Sequence, residues 1–264
     1  MKRIVPGIAL ASCWLFLLLS GSFSAFWLVV VIIALIGAHE YLKMALPSDT
    51  GNPELLMLST SLALPVILSG LWHEAGLCGG LFFSVFLSIC YILTNYTRLA
   101  DSFGVLSRLV FGAVYVGFFA AHLVLLWLVP EGNYWLIILV AITAGSDSGA
   151  YYSGRTWGRH KLCRNVSPNK TIEGAIGGVI SGLVIAVIFA VFLLDNINWV
   201  VLVPMAILLT GVGIAGDLSE SIIKRGTDTK DSGKILLGHG GILDRIDSLL
   251  LSAPVLYYLL IFTG

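Results

Sequence analysis

From Asn196 to Gly216 the chain runs through uncharged, mostly apolar residues, and comparable runs recur along most of its 264 positions. A helix that crosses a bilayer needs about 20 such residues, because each residue rises about 1.5 Å through a hydrocarbon core of about 30 Å. The sequence divides into nine segments of this kind, some of them short: Ile4 to Ser20, Phe26 to Leu42, Leu55 to Trp72, Leu77 to Thr94, Val105 to Val129, Tyr134 to Tyr152, Ile172 to Leu194, Trp199 to Asp217 and Ser248 to Phe262. Composition agrees, since 58% of residues are apolar and 11% are charged, against about a quarter charged in a soluble domain. The expected fold is therefore all-α: a polytopic integral membrane protein of about nine transmembrane helices.

Charge placement orients the chain. Threading nine spans from a cytoplasmic N-terminus puts Lys2, Arg3, Lys43, Arg98, Arg108, the stretch from Arg155 to Lys170 and the stretch from Lys224 to Arg245 on one side, which accounts for all 15 Lys and Arg residues. The opposite loops carry Glu74, Glu131 and Asp195 but no Lys or Arg, as the positive-inside rule expects of exported loops. The N-terminus is expected in the cytoplasm and the C-terminus outside. Met1-Lys2-Arg3 followed by an apolar run also has the form of a cleavable leader, but a second apolar span follows within a few residues, which favours a retained helical hairpin. Lys plus Arg equals Asp plus Glu, so no basic field argues for nucleic acid. The four cysteines form no CxxC pair, and neither a disulfide nor a zinc role is expected.

Two regions are drawn from this pattern: residues 1–132, with about five N-terminal transmembrane helices, and residues 133–264, a catalytic region with two cytoplasmic loops. Those loops hold most of the polar residues. In the second, a helix continuing to Arg225 would set Asp217, Ser221 and Lys224 at i, i+4 and i+7 on one stripe. A carboxylate near the membrane boundary is expected either to pair, to bind a cation, or simply to end the helix. Gly238-His239-Gly240-Gly241 offers backbone N–H groups to an anion, or a plain turn. Asp244 and Asp247 lie three apart at the start of the last span. Carboxylates beside phosphate-cradling glycines suggest Mg²⁺, which prefers a few carboxylates plus substrate phosphates.

The other loop follows Asp147, a carboxylate inside an apolar span, and carries Arg155, Arg159, Lys161, Arg164 and Lys170. Thr171 could cap the next helix, leaving its first N–H groups and Lys170 to face an anion. For Arg155 to Arg164 the simpler reading is topology and contact with anionic lipid. Gly174, Gly178 and Gly182 are read first as a helix-packing groove. There is no Walker GxxxxGK[ST] and no HExxH, so nothing points to an ATPase or a zinc protease. Residue chemistry alone reaches a membrane-embedded site that handles phosphates with a divalent metal.

Ser221 to Asp247, SIIKRGTDTKDSGKILLGHGGILDRID, resembles the C-terminal signature of the phosphatidate cytidylyltransferases, and the segments from Asp147 to Tyr151 and from Ser167 to Gly174 resemble upstream motifs of that family in the same order. The likeness is strong over the C-terminal half; the N-terminal half matches in hydropathy. Leu237 stands where the family usually has Pro, and Ile172 where it often has Trp. The resemblance implies transfer of a cytidylyl group from CTP to phosphatidic acid, giving CDP-diacylglycerol and pyrophosphate, with Mg²⁺ as cofactor. It implies Asp217 and Asp244 as metal ligands with Ser221, Asp247 and Lys224 in the catalytic set, and Lys170, Arg225, Lys230, His239, Gly240, Gly241 and Arg245 at substrate. Membrane lipids are expected partners, nucleic acid is not, and a second copy in a homodimer is a possible one. The site should face the cytoplasm from the cell's inner or plasma membrane. Competing readings are a cytidylyltransferase or CTP-dependent kinase acting on another lipid, and a secondary transporter, although transporters place binding residues near the midplane.

Overall fold

The computed structural model describes residues 4–229, 231–233 and 240–263. Among them the chain forms helices α1 (Ile4–Ser20), α2 (Phe23–Ala45), α3 (Asn52–Asn95), α4 (Ser102–Gly112), α5 (Phe119–Leu128), α6 (Gly132–Trp157), α7 (Ile172–Leu193), α8 (Trp199–Gly226) and α9 (Leu243–Thr263). A π-helical turn, Ala113–Phe118, joins α4 to α5, so that Ser102–Leu128 reads as one continuous span. Six of the described helical segments are long and apolar enough to cross a membrane: α2, α3, Ser102–Leu128, α7, α8 and α9. Outside that set stand α1, with 17 residues, and α6, which carries Asp147 and Arg155. The architecture is all-α and polytopic, as its apolar runs require.

Two details depart from a simple count of spans. In α3 the backbone leaves helical geometry at Trp72 and His73, where His73 has φ 53°. The two halves then run back along each other: Tyr91 donates to Glu54 at 2.9 Å and Ser61 donates to the Ser84 carbonyl at 3.4 Å. One helical element thus supplies two of the expected segments. The second departure is a small antiparallel hairpin, β1 (Lys161–Cys163) with β2 (Ser167–Thr171), in the loop between α6 and α7.

The chain separates into two compact units, Met1–Leu125 with Gly226–Arg245, and Leu126–Arg225 with Ile246–Gly264. In the first, α2 packs against α3 and the π-helical turn. Its core is apolar, with Phe26, Leu42, Leu58, Leu62 and Leu109 fully buried. Tyr41 donates to the Arg108 carbonyl at 2.7 Å, which gives its hydroxyl a partner inside that packing.

The second unit is organised around the α6–α7 pair. On α7 the residues Gly174, Gly178, Gly182, Ala186 and Ala190 recur every fourth position and are buried, while Ile172, Ile176, Ile180, Val184 and Ile188 are exposed. Small residues let two backbones approach closely where no hydrophobic effect drives helices together in lipid. The branched face is left for the hydrocarbon. A methyl group on Gly149 would overlap the Ser181 side chain, and one on Gly177 would overlap Ser153, so the close approach depends on both helices.

Candidate active site

In the second unit, α6, β2, α7 and α8 enclose a cavity of about 510 Å³. Asp147, Tyr151 and Arg155 reach it from α6, Lys170 and Thr171 from the hairpin, and Asp217 from α8. Lys170 Nζ lies 2.6 Å from Asp217 Oδ2, with both side chains about a quarter to a third exposed. The motif that precedes α7 and the C-terminal half of α8 therefore meet at a charge pair. Lys170 is held in place by its neighbours: Thr171 caps α7 by accepting from the Gly174 N–H at 3.1 Å. Glu173 accepts from the backbone N–H groups of Arg159 and His160 and from the His160 ring at 2.6 Å, pinning the start of the hairpin.

α8 stays helical through Gly226, so Asp217, Ser221 and Lys224 do share a stripe. Lys224 Nζ is engaged by Glu220 at 2.7 Å, and Glu220 is 1% exposed. A buried carboxylate is costly without a partner, so this pair ties the base of α8 together. Arg225 is exposed at the end of the same helix. On α9, Asp247 is buried, accepts from the Ser248 N–H at 2.6 Å, and lies within electrostatic reach of Asp217, Asp147 and Glu220. Glu220 carried no signal in the sequence beyond its place between two motif residues.

In the first unit, the end of the signature is built around two carboxylates. Asp244 Oδ2 accepts from the Gly241 N–H at 2.8 Å and from the Ser232 N–H at 3.2 Å. Gly240 has φ +78°, a left-handed conformation in which an L side chain would be strained, and a Cβ there would stand 2.5 Å from Asp244 Oδ2. Gly240 is thus required by backbone shape and by the room that Asp244 takes. The second carboxylate is Glu40 of α2, which the sequence reading passed over. Its Oε2 accepts from the Leu243 N–H at 2.9 Å and from Ser232 Oγ at 3.4 Å. Arg245 is exposed one turn into α9. Lys230, His239 and Leu237 lie outside the described residues.

Among the described residues, no group of three or more His, Cys, Asp and Glu side chains stands in ready metal-binding geometry. Mg²⁺ does not need one, since it takes one or two carboxylates and fills its octahedron with water and substrate phosphates. The donors present, Asp217 near Asp147 and Asp247 and, separately, Asp244, are hard carboxylate oxygens of the type Mg²⁺ prefers.

A cytidylyltransferase family model matches residues 1–263. The phosphatidate cytidylyltransferase of Bacillus subtilis (strain 168) is 35% identical over 266 residues, covering 98% of this chain and 97% of the relative. That of Staphylococcus haemolyticus (strain JCSC1435) is 33% identical over 268 residues and covers 98% of both chains. A third, from Staphylococcus aureus (strain COL), is 33% identical over 237 residues, 87% of each.

Proposed function

Because the chain belongs to the cytidylyltransferase family, we infer that it transfers the cytidylyl group of CTP to phosphatidic acid, giving CDP-diacylglycerol and pyrophosphate in phospholipid biosynthesis. The observation that carries this reading is likeness over nearly the whole chain to enzymes bearing that activity's name. The protein is an integral membrane nucleotidyltransferase, with substrates CTP and phosphatidic acid and with lipid as its solvent. The relatives do not favour a transporter or a lipid kinase.

The chemistry joins a phosphate oxygen of phosphatidic acid to the α-phosphorus of CTP and breaks the bond between the α- and β-phosphates, so that pyrophosphate leaves with the electron pair. A phosphate monoester is already anionic at neutral pH. The protein therefore has to position two polyanions and offset their charge rather than supply a strong base. In this reading Lys170, drawn to Asp217 in the cavity, exchanges part of its contact with the carboxylate for a substrate phosphate. Arg225, Lys230 and Arg245 offset phosphate charge, the turn at Gly240 and Gly241 takes a phosphate against it, and the family motif assigns His239 to substrate. Lys224, through its pair with Glu220, holds the face of α8 that carries Asp217 and Ser221. By the family resemblance Asp217 and Asp244 would hold Mg²⁺, with Asp247 and Ser221 in support. When bound, the metal supplies positive charge against the triphosphate as it builds up negative charge in the transition state.

Orientation completes the proposal. The N-terminus and the loops bearing Arg155 and Lys224 to Arg245 face the cytoplasm, where CTP is, because all Lys and Arg residues thread to that side. A homodimer is carried as a further proposal, checked by the mass of the purified protein in detergent or nanodiscs. The function itself is tested with purified protein, radiolabelled CTP and a panel of lipid phosphates. Labelled CDP-diacylglycerol with stoichiometric pyrophosphate is expected from phosphatidic acid. Preference for another lipid phosphate would move the substrate assignment, and labelled inorganic products without CDP-lipid would overturn it.

A further inference from the structure

Glu40 is 2% exposed, lies in the last two turns of the largely apolar helix α2 and uses its carboxylate on residues 192 and 203 positions away. The first N–H groups of any helix have no partner within it, and they are usually met by a residue just before the helix. α9 solves this differently. The N–H of Leu243 donates to Glu40 Oε2, and the N–H of Asp244 donates to Ser232 Oγ at 3.3 Å, while Ser232 Oγ in turn donates to Glu40. The helix dipole favours an anion at that end. Gly233 and Gly241 are fitted around the same carboxylate: a Cβ on Gly233 would overlap Glu40 Oε1, and one on Gly241 would come to 2.5 Å from Oε2 and overlap Ser232 Oγ. Four residues of the signature, Ser232, Gly233, Gly241 and Leu243, thus take their places from one side chain of α2.

We propose that Glu40 is a positioning residue for cytidylyl transfer, fixing the start of α9 and Ser232 so that Asp244 and the Gly240-Gly241 turn are preorganised for metal and phosphate. The inference rests on the cytidylyltransferase reading above. The carboxylate acts as an acceptor of hydrogen bonds from backbone and hydroxyl, not as a group that touches substrate. A glutamine keeps one acceptor oxygen at the same reach; an alanine keeps none. Leaving the Leu243 N–H buried and unmet would let the first turn of α9 and its carboxylate lose their alignment.

The test compares Glu40→Gln, Glu40→Ala and Ser232→Ala with wild type in one detergent, each checked for monodispersity, with kcat, both KM values and the Mg²⁺ concentration giving half-maximal rate. Wild type must form CDP-lipid, which separates failure of the functional reading from failure of this one. Glu40→Ala is expected to lower kcat at least 30-fold and to raise the Mg²⁺ midpoint at least threefold, with KM for phosphatidic acid within threefold. Glu40→Gln should recover to within about fivefold of wild-type kcat. A purely structural role would reduce the active fraction without moving the Mg²⁺ midpoint. Should Glu40→Ala not yield folded protein, Ser232→Ala decides: it is expected to lower kcat about fivefold and raise the Mg²⁺ midpoint. The proposal is overturned if Glu40→Ala keeps kcat within threefold, if Glu40→Gln falls as far as Glu40→Ala, or if the Mg²⁺ midpoint stays fixed in the variants that fold.

Discussion

The two units treat their carboxylates in opposite ways. In the second, Asp217 faces a cavity and is met by the side-chain ammonium of Lys170, a partner that the proposed mechanism lets a substrate phosphate or a cation displace. In the first, Glu40 and Asp244 are met by backbone N–H groups of Ser232, Gly241 and Leu243, partners that cannot move without moving the chain. The difference teaches that acidic residues close together in a signature need not do the same work. One arrangement opens a carboxylate to a cavity, and the other ties its carboxylates to the backbone of a turn. Both arrangements suit the proposed phosphoryl-type reaction, in which preorganised charge does most of the catalysis.

The comparison is broken most severely by neutralising the two proposed metal carboxylates. Asp217→Asn should lower the rate of CDP-lipid formation by more than 100-fold while leaving the thermal midpoint nearly unchanged, because its partner is a flexible side chain. Asp244→Asn should lower the rate as far and also lower the midpoint measurably, since charge-assisted hydrogen bonds contribute about 1.5–3 kcal/mol. The double variant should be scarcely slower than either single one, because residues acting as a unit are not additive. A folded single variant keeping more than about a tenth of the wild-type rate, with unaltered Mg²⁺ dependence, would falsify the metal pairing.

Lys170→Ala should have a smaller effect, about tenfold in kcat/KM or roughly 1.4 kcal/mol of transition-state stabilisation. Values within twofold of wild type for both substrates would make Lys170 a topology determinant only. Gly177→Ala sharpens the comparison from the packing side. Its methyl group meets Ser153 across the α6–α7 contact, and overpacking of this kind costs about 1–3 kcal/mol. Thermal unfolding in detergent should show a lower midpoint, with the rate of the remaining folded enzyme little changed. The smallest effect is expected from Thr229→Cys, which should leave the rate unaltered. An impermeant thiol reagent should label it in inside-out vesicles and not in sealed cells; labelling from outside would reverse the proposed orientation.

Sequence alone settled what depends on local composition. Apolar runs of the right length dictate helices in lipid, because backbone groups in hydrocarbon must be satisfied within the segment. The motif from Ser221 to Asp247 names the family, and the one-sided placement of Lys and Arg carries the orientation proposed above. The i, i+4, i+7 stripe of Asp217, Ser221 and Lys224 was legible because helical periodicity is local. The β1–β2 hairpin was not, since Ser167-Pro168-Asn169-Lys170-Thr171 has no apolar alternation to mark a strand, and its pairing is drawn from a partner segment nearby. Nor did the sequence show that Lys170 meets Asp217, 47 positions on, or that Lys224 is held by Glu220. Glu40 was the least legible of all. A lone acid in an apolar helix has no local signature of purpose, and only packing brought its carboxylate to the Leu243 N–H, which lies 203 residues further along the chain. Hydropathy is written into each segment separately, whereas the partner of a buried charge is chosen by the fold, which brings distant segments together and leaves each polar group to find what it can reach.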